Sequence, residues 1–418
     1  MKPSLSEKLS RFKPGLLYVG VDLGLDSNAV KVKDERAKLL CSFEFPHSRD
    51  GYDFFHRRVQ ALVERHSASG FVVGMEPTNY FWTLLATDLE RRRTDYYLVN
   101  PYTVRKHREG DQLDPSKDDP RDASAVTDLL REGKYTETRL QRGAYAELRQ
   151  YATMHNRLTS DIARQKTLVR NIVGQLFPEL SGIFKDLTSA TAVAMLKNHA
   201  AAVRIKDMSE DELVAAVRAD SARPRLAVSK LRRAHKLAAT SVGVQDGVEA
   251  LQLALRLHLE TLRTLQAQEQ EVAQAMLKTF QAMPEAPYMR SLRGLGALTC
   301  AKILAEIGDP SRYKHGHQLI KLAGTQPTPN TSGRMKRSAT PFSGKGRARL
   351  RTILYFACLR LIRVDDAFAR LYQHYQQRDK NPLTKMQALG VLMNRLLLVL
   401  WSLLRHKQHY DPARVYSA

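Results

Sequence analysis

Carboxylate side chains are outnumbered in this sequence, which has 43 Asp and Glu against 66 Lys and Arg. Three of them fall close together, Asp118, Asp119 and Asp122, at the start of a segment with helical spacing of apolar residues. The dipole of a helix favours acidic residues at its N-terminus, so helix capping is one interpretation of this segment. A second pair of carboxylates at the same place would instead indicate a metal site.

The preceding part of the chain predicts elements that could supply that second pair. The apolar runs and turn signals between residues 16 and 99 predict an α/β unit with the order strand, strand, strand, helix, strand, helix, strand. We expect its strands at 16–21, 29–33, 39–45, 70–75 and 96–99, and its helices at 52–65 and 79–92. Asp22 belongs to the first strand and Glu76 ends the fourth. Acidic residues at such strand ends lie in the crevice where open α/β sheets bind ligands.

Four carboxylates converging on one edge, those of Asp22, Glu76, Asp119 and Asp122, would repel one another unless cations lay between them. Carboxylate oxygens are hard ligands that suit Mg²⁺ or Mn²⁺. Two such ions can stabilise the attacking and leaving oxygens of phosphoryl transfer. The pattern therefore favours a metal-dependent phosphoryl-transfer site over simple capping, with Asp118 as the alternative neighbouring ligand.

The overall charge indicates a polyanionic partner. The 418 residues carry a formal net charge of +23, with a pI near 10.0, and nucleic acid is the usual partner of such a chain. From residue 334 to 351 there are seven cations and no acid, which predicts contacts with phosphates. These residues are Arg334, Lys336, Arg337, Lys345, Arg347, Arg349 and Arg351.

Other features disfavour membrane, disulfide and zinc proteins. The first residues lack the apolar segment of a signal peptide, and the longest apolar run, 396–404, is too short to span a bilayer. The three cysteines are far apart, and the paired histidines at 315 and 317 and at 406 and 409 have no further zinc ligands nearby, so we expect them at the surface. We expect a cytoplasmic protein with no membrane association.

The rest of the chain is predicted to be mostly helical. Apolar residues at three- and four-residue steps predict two long helices within 142–283, which form a coiled-coil seam either within one chain or between chains. A capping box at Ser209–Glu212 predicts a helix between them, and the basic segment 230–236 is either a solvated helix face or a phosphate contact. Gly294 and Gly296 predict a tight turn before an apolar helix. This turn resembles a helix-hairpin-helix element, whose backbone amides hold a DNA phosphate.

Both ends of the chain resemble insertion-sequence transposases of the IS110 type. Asp22, the segment Glu76–Tyr80, Asn100-Pro101 and the box Lys117–Ala123 resemble the RuvC-like, RNase H-fold DEDD domain of that family. The resemblance implies that Asp22, Glu76, Asp119 and Asp122 form the metal-binding tetrad. Two positions depart from the family pattern, Asp118 in place of a small hydroxyl residue and Asn79 in place of glycine.

The segment 291–351 resembles the C-terminal domain of the same family. In that domain a signature serine is followed by glycine, a basic stretch and a Gly-x-x-x-Leu-Arg box, here Ser332, Gly333 and Gly346–Arg351. A Ser-Gly pair by itself is typical of a turn. The resemblance implies that Ser332 is a catalytic nucleophile, which needs a base or a metal for its activation.

The resemblance also implies a fold of α/β plus α class with three domains. These are an RNase H-like (RuvC-like) DEDD metal-binding domain at 1–135, a long helical coiled-coil region at 136–286, and a mostly α C-terminal transposase domain at 287–418. The last domain would carry the helix-hairpin-helix element, the catalytic serine and the DNA-binding loop.

The function that the family implies is RNA-guided, site-specific DNA recombination through a covalent phosphoserine intermediate. The partners would be donor and target double-stranded DNA, a structured non-coding guide RNA (a bridge or seeker RNA), Mg²⁺ or Mn²⁺, and further copies of the chain. Family members form tetramers, or dimers of dimers, in which the serine of one protomer lies beside the DEDD carboxylates of another, in the bacterial cytoplasm with the nucleoid. Two alternatives stay open: a RuvC-like Holliday-junction nuclease that activates water, and a non-catalytic RNA- and DNA-binding assembly protein.

Overall fold

The computed structural model describes residues 10, 12–77, 80–111, 119–136, 139–221, 225–328, 331–332, 335–336 and 341–415. At 108–111, 119–121, 331–332 and 335–336 the description covers the backbone. The chain divides into two compact units, residues 1–140 and 141–418.

A five-stranded mixed sheet forms the centre of the first unit. Its strands are β1 (Leu16–Leu23), β2 (Ser27–Lys33), β3 (Leu39–Pro46), β4 (Gly70–Met75) and β5 (Tyr96–Leu98). Their order in the sheet is β3-β2-β1-β4-β5. β1 pairs antiparallel with β2 and parallel with β4, so the first strand lies in the middle of the sheet. The predicted α/β unit is confirmed, and all five strands are where the sequence predicts them.

Four helices of the first unit cover the two faces of this sheet. They are α1 (Arg49–Arg65), α2 (Phe81–Arg91), α3 (Pro101–Asp111) and α4 (Asp119–Arg131). Alternate residues of β1, such as Val19 and Val21, form a core with α1 and α2 through Phe55 and Leu85. The other face of β1 packs against α4. Helix α3 was not predicted, because its sequence is polar apart from one buried anchor, Val104.

Two long helices form the spine of the second unit, α5 (Gly143–Leu176) and α11 (Val248–Gln281). His155 Nε2 lies 2.7 Å from Glu269 Oε1, and His258 Nδ1 lies 2.8 Å from Gln165 Oε1. From the first pair to the second, the residue number rises along α5 and falls along α11, so the two helices are antiparallel. The sequence allowed these helices to pair either within one chain or between chains, and in the structure they pair within one chain.

Five short helices cover one end of this pair, and we call them the small-helix cap. They are α6 (Leu180–Ile183), α7 (Ala190–Asn198), α8 (Ala202–Ile205), α9 (Glu210–Ala219) and α10 (Val228–Ala238). The cap shares a core with α5 and α11 that includes Phe177, Leu196 and Leu231. The capping box at Ser209 and Glu212 is confirmed at the start of α9.

The remaining helices form a second core at the other end of the pair. They are α12 (Ala286–Arg290), α13 (Ala297–Ile307), α14 (His317–Ala323), α15 (Ala348–Val364), α16 (Asp366–Gln377) and α17 (Lys385–His406). The chain also has 3-10 turns at Pro310–Arg312 and Pro412–Val415, and two short strands, β6 (Thr331–Ser332) and β7 (Met335–Lys336). The prediction of a mostly helical remainder after the α/β unit is confirmed.

One helix in the described part of the chain, α17, is long and apolar enough by composition to cross a membrane. The predicted apolar run 396–404 is the C-terminal half of this 22-residue helix. Of its most apolar window, 61% is buried inside the protein, with Leu392, Leu396 and Leu400 in the core with α13 and α15. The packing of a core helix therefore accounts for its composition.

Candidate active site

Helix α4 lies directly against the two central strands because both strands have glycine beneath it. Gly20 of β1 pairs with Gly74 of β4. A Cβ atom on Gly20 would lie 2.3 Å from the carbonyl oxygen of Ala123, and one on Gly74 would lie 3.0 Å from Leu130 Cδ2. Side chains at these two positions would hold the helix away from the sheet.

Asp22 and Glu76 follow the glycines on these strands. The parallel register ends with Val21 opposite Met75, and Asp22 and Glu76 are the next residues on the two chains. Because side chains alternate along a strand, Asp22 shares the α4 face of the sheet with Gly20. The structure thus places the two predicted carboxylates at neighbouring strand ends.

The N-terminal end of α4 lies toward those same strand ends. Lys33, opposite Tyr18 in the sheet, contacts Asp128 at 2.6 Å, whereas Gly20, further along β1, faces Ala123. Residues of β1 that are closer to Asp22 therefore lie opposite residues of α4 that are closer to its N-terminus. Asp122, only 8% exposed, is the residue before Ala123.

The backbone thus brings together the elements that carry Asp22, Glu76, Asp119 and Asp122. Among the described side chains, no group of three or more His, Cys, Asp or Glu residues could hold a metal ion as placed. The side chain of Asp119 and all of Asp118, the alternative ligand, lie outside the described residues.

His47 joins the segments that follow the two strand ends, a role that no sequence pattern indicates. Its Nε2 donates to the carbonyl oxygen of Gly24 at 3.0 Å, just after β1. Its ring stacks on Phe81, at the start of the helix after Glu76, with the ring centroids 4.5 Å apart. Its Nδ1 lies 3.2 Å from the Tyr52 hydroxyl, and in the neutral ring Nδ1 accepts from that hydroxyl because Nε2 carries the proton. His47 therefore links the segment after β1 to the first residue of α2.

Ser332 lies in the second unit, in a loop that we call the serine loop, residues 324–346. It is the last residue of β6 and pairs with Met335, the first residue of β7. The strands of the loop also pair near its base, where Thr328 N donates to Pro341 O and Ser343 N to Gln326 O, both at 2.9 Å. The serine is therefore held at the far end of an antiparallel ribbon.

The base of the serine loop is fixed by close backbone contact. Gly324 has a left-handed φ of 71°, and a Cβ atom on Gly346 would lie 2.4 Å from its amide nitrogen. Arg351 Nη1 donates to Ala323 O at 2.8 Å, and the backbone amide of Arg347 donates to Leu322 O at 2.8 Å. Two residues of the predicted DNA-binding set thus contact the protein itself.

The guanidinium of Arg347 lies beside a buried acid. Glu306 of α13 is 2% exposed, and its Oε2 lies 2.5 Å from Arg149 Nη1 and 3.8 Å from Arg347 Nη1. Burial, followed by the charge of Arg149, lowers the pKa of Arg347. This ion-pair cluster joins α5, α13 and the start of α15.

The other residues predicted to bind nucleic acid differ in their exposure and in whether the structure describes their side chains. Lys345 and Arg349 are exposed, and the side chains of Arg334, Lys336 and Arg337 lie outside the described residues. Gly294 lies in the predicted turn, where its carbonyl oxygen accepts from Arg360 Nε at 3.1 Å, and Gly296 is the N-cap of α13. The turn is confirmed, whereas its role in phosphate binding stays a prediction.

Comparisons with known proteins cover both units. The IS110 DEDD transposase model, described as "Transposase", matches residues 19–178, and the model "Transposase IS116/IS110/IS902 family" matches residues 286–373. The mini-circle putative transposase for IS117 of Streptomyces coelicolor is 25% identical over 96% of this chain and 97% of that protein. An uncharacterized 43.6 kDa protein of insertion element IS110 from the same species is 23% identical over 72% of this chain and 75% of its own length.

A pilin gene-inverting protein of Moraxella lacunata is also similar, with 30% identity over 31% of this chain and 40% of that protein. The first family model covers the segment with the four predicted carboxylates, and the second covers the segment with Ser332. The chain therefore belongs to the IS110/IS116 family of insertion-sequence transposases.

Proposed function

We propose that this transposase cuts and rejoins DNA through a covalent phosphoserine at Ser332, together with a divalent metal held by a DEDD tetrad in an RNase H-like domain. The observation that carries the proposal is the placement of Asp22 and Glu76 at neighbouring strand ends, beside the first residues of α4. The sheet order β3-β2-β1-β4-β5, with its mixed pairing, supports the RNase H-like fold.

The chemistry of the donor set fits Mg²⁺ or Mn²⁺. Neighbouring strands lie about 4.8 Å apart, so carboxylates at adjacent strand ends are close enough to share a cation. We propose Asp22, Glu76, Asp119 and Asp122 as the ligands, since carboxylate oxygens suit these hard ions. When bound, such an ion stabilises charge on a phosphoryl group and favours the ionised form of an attacking hydroxyl.

Ser332 would supply the nucleophile. Its hydroxyl loses a proton, its Oγ forms a bond to a DNA phosphorus atom, and the bond from that phosphorus to a deoxyribose oxygen breaks. The released deoxyribose oxygen takes up a proton. Attack by a deoxyribose hydroxyl of another DNA end then breaks the phosphoserine bond and forms a new phosphodiester. The number of phosphoester bonds stays the same, so rejoining needs no nucleotide cofactor.

The anchoring of the serine loop supports this role. A nucleophile contributes most when it is held in position before the reaction, because its loss of freedom is then not part of the barrier. The contact between Gly324 and Gly346 and the bonds from Arg347 and Arg351 fix the base of the ribbon that carries Ser332.

We further propose that a structured non-coding RNA selects donor and target DNA, and that the protein acts as a tetramer. The net charge of +23 supports binding of more than one nucleic acid. In the proposed tetramer, one protomer supplies Ser332 and another supplies the tetrad.

The test is a covalent protein–DNA adduct on a denaturing gel, formed with element-end DNA and the RNA transcribed beside the gene. We expect the adduct with Mg²⁺ and its loss in Ser332→Ala, while the neighbouring Thr331→Ala retains it. Asp22→Asn should also abolish cutting. If Ser332→Ala cuts normally and Asp22→Asn does not, the protein is instead a metal-dependent junction nuclease that uses water.

The RNA and the assembly have their own tests. Omission of the RNA should remove site-specific exchange, and replacement of its target-pairing segment should redirect it. Light scattering of the complex with RNA and DNA should give the mass of four chains plus that of the bound nucleic acids. Sequence-specific exchange by the protein without RNA would contradict the guide role.

A further inference from the structure

A cleft of about 560 Å³ lies in the second unit between α5 and the start of α15. Its volume falls within the range of roughly 300–1,000 Å³ that is typical of ligand sites. One wall comes from residues 156–161 of α5, and the other from Arg349, Thr352 and Ile353 of α15. The cleft therefore brings a helix outside the predicted DNA-binding segment next to the end of the serine loop.

Three side chains of the lining have hydrogen-bond donors without an acceptor among the described residues, whereas the hydroxyls of Thr159, Ser160 and Thr352 donate to carbonyl oxygens of their own helices. Within the described part of the chain, neither Arg157 nor Arg349 forms an ion pair with a carboxylate, and the side-chain amide of Asn156 donates no hydrogen bond to the protein. Both arginines are exposed. The cleft also contains one acid, Asp161, so its lining has a net positive charge. Unpaired guanidinium groups around a cleft are the usual means of binding phosphate.

The electrostatics of α15 add to this preference. Arg349 and Thr352 lie in its first turns, where the helix dipole contributes positive potential. No residue from Ala348 to Val364 is acidic. The carboxylate of Glu306 is already paired with Arg149 and Arg347, so those two arginines are engaged with the protein while Arg349 stays open to a ligand.

The exposed side of α15 continues away from the cleft. Phe356 is 64% exposed and lies one heptad after Arg349, and Arg360 lies a further turn along the same side. An exposed aromatic ring between basic residues is typical of surfaces that contact nucleic acid, where it packs on sugars or bases.

We propose that the cleft between α5 and α15 binds the phosphodiester backbone of duplex DNA, with Arg157 and Arg349 contacting one phosphate from opposite walls. This inference rests on the proposed function, because the cleft borders the serine loop to which we assign the DNA phosphate. It assigns α5 a part in DNA binding and accounts for Arg349, which, unlike Arg347 and Arg351, has no side-chain partner among the described residues.

The experiment measures binding of the full chain to a fluorescein-labelled DNA duplex of arbitrary sequence by fluorescence anisotropy over a salt series, with EDTA present. Each phosphate contact contributes about 0.9 to the slope of log K against log salt. We expect Arg157→Gln and Arg349→Gln each to weaken binding, and the double variant to lower that slope by about 0.9. Because either arginine alone can still contact the shared phosphate, each single variant should lower the slope by less than the double variant does.

Two further variants serve as controls. Arg256→Gln removes the same charge from an exposed position on α11 outside the cleft, and its slope should match that of the unchanged protein. Arg157→Lys keeps the charge and should keep the slope. An unchanged slope in the double variant would overturn the proposal, and so would a loss of binding to duplex RNA with none to DNA.

The failure of this inference can be distinguished from failure of the proposed function. Ser332→Ala should lose the covalent adduct and keep the salt slope. If Ser332→Ala still forms the adduct, the assignment of the nucleophile fails while the slope results for Arg157 and Arg349 stand. If the adduct depends on Ser332 but the slopes do not change, only the cleft assignment fails.

Discussion

Gly20 lies directly beneath Ala123, so close that a Cβ atom at position 20 would be 2.3 Å from the carbonyl oxygen of that residue and 2.1 Å from Thr127 Oγ1. The obstructing atoms include helix backbone, which cannot rotate away as a long side chain can. The spacing between β1 and α4, and with it the position of Asp119 and Asp122 relative to Asp22, therefore depends on the absence of a side chain at residue 20.

We predict that Gly20→Ala destabilises the protein by roughly 1–3 kcal/mol, as for other overpacked contacts. It should also raise the Mg²⁺ concentration needed for cutting, because α4 moves away from the strand ends. Urea unfolding and a magnesium titration of cutting measure the two effects. Gly174→Ala is the matched control, since nothing lies within 4 Å of its Cβ position in α5 and it should be neutral or stabilising. Equal behaviour of the two variants would contradict the prediction.

A second prediction concerns the buried acid at the base of the serine loop. Glu306→Gln leaves Arg149 and Arg347 without a counter-charge, and we expect a loss of roughly 1.5–3 kcal/mol, the usual contribution of a hydrogen bond to a charged group. Adduct formation at Ser332 should slow as the base of the loop loses its anchor. Urea unfolding and the rate of adduct formation test this. The exposed Glu271→Gln should change neither, and a similar effect of both variants would count against a specific role for Glu306.

A third prediction tests His47 as a positioning residue. His47→Ala removes both the bond to Gly24 O and the stacking on Phe81. If the strand ends hold the metal, the half-maximal Mg²⁺ concentration for cutting should rise about tenfold, as for other groups that orient metal ligands. The maximal rate should change less. His66→Ala, at an exposed position in the same unit, is the control, and an unaltered magnesium requirement in His47→Ala would exclude this role.

A fourth prediction concerns pH. Burial and the charge of Lys302 lower the pKa of His155 below its ordinary value of 6.5, while Glu269 acts in the opposite direction. The unfolded chain then binds more protons at this residue than the folded one as pH falls through 6.5, so His155 contributes to a loss of stability on acidification. Urea unfolding between neutral and mildly acidic pH should show a shallower loss for His155→Gln. His315→Gln, which is exposed, should keep the steeper loss of the unchanged protein.

Much of the first unit was predictable because its strands are short apolar runs bounded by turn residues. β4 matches its predicted bounds, and β1 includes Asp22, as expected, and extends one residue further to Leu23. Helix α3 was missed, since a polar segment with one apolar anchor has no helical periodicity to detect. The close contact of Gly20 with α4 could not be predicted, because it depends on which face of the sheet the helix covers.

The second unit shows what periodicity cannot decide. Apolar spacing predicted both long helices but not whether each pairs within the chain, since a seam fits either partner. The sequence predicts the same role for all seven cations from residue 334 to 351, yet Arg347 and Arg351 bind the protein while Arg349 is exposed. Glu306, an acid within the apolar sequence of α13, was the one local sign that a cation would be held there.

The antiparallel pairing of α5 and α11 also sets the distance between the small-helix cap and the core that supports the serine loop. Each helix has 34 residues, which corresponds to about 51 Å at 1.5 Å per residue. The small-helix cap packs at one end of this pair and the core that supports the serine loop at the other. Deleting one matched heptad from each helix would keep the seam in register and shorten this separation by about 10 Å. The distance between the cap and the serine-bearing core can therefore change while the residues of each stay the same.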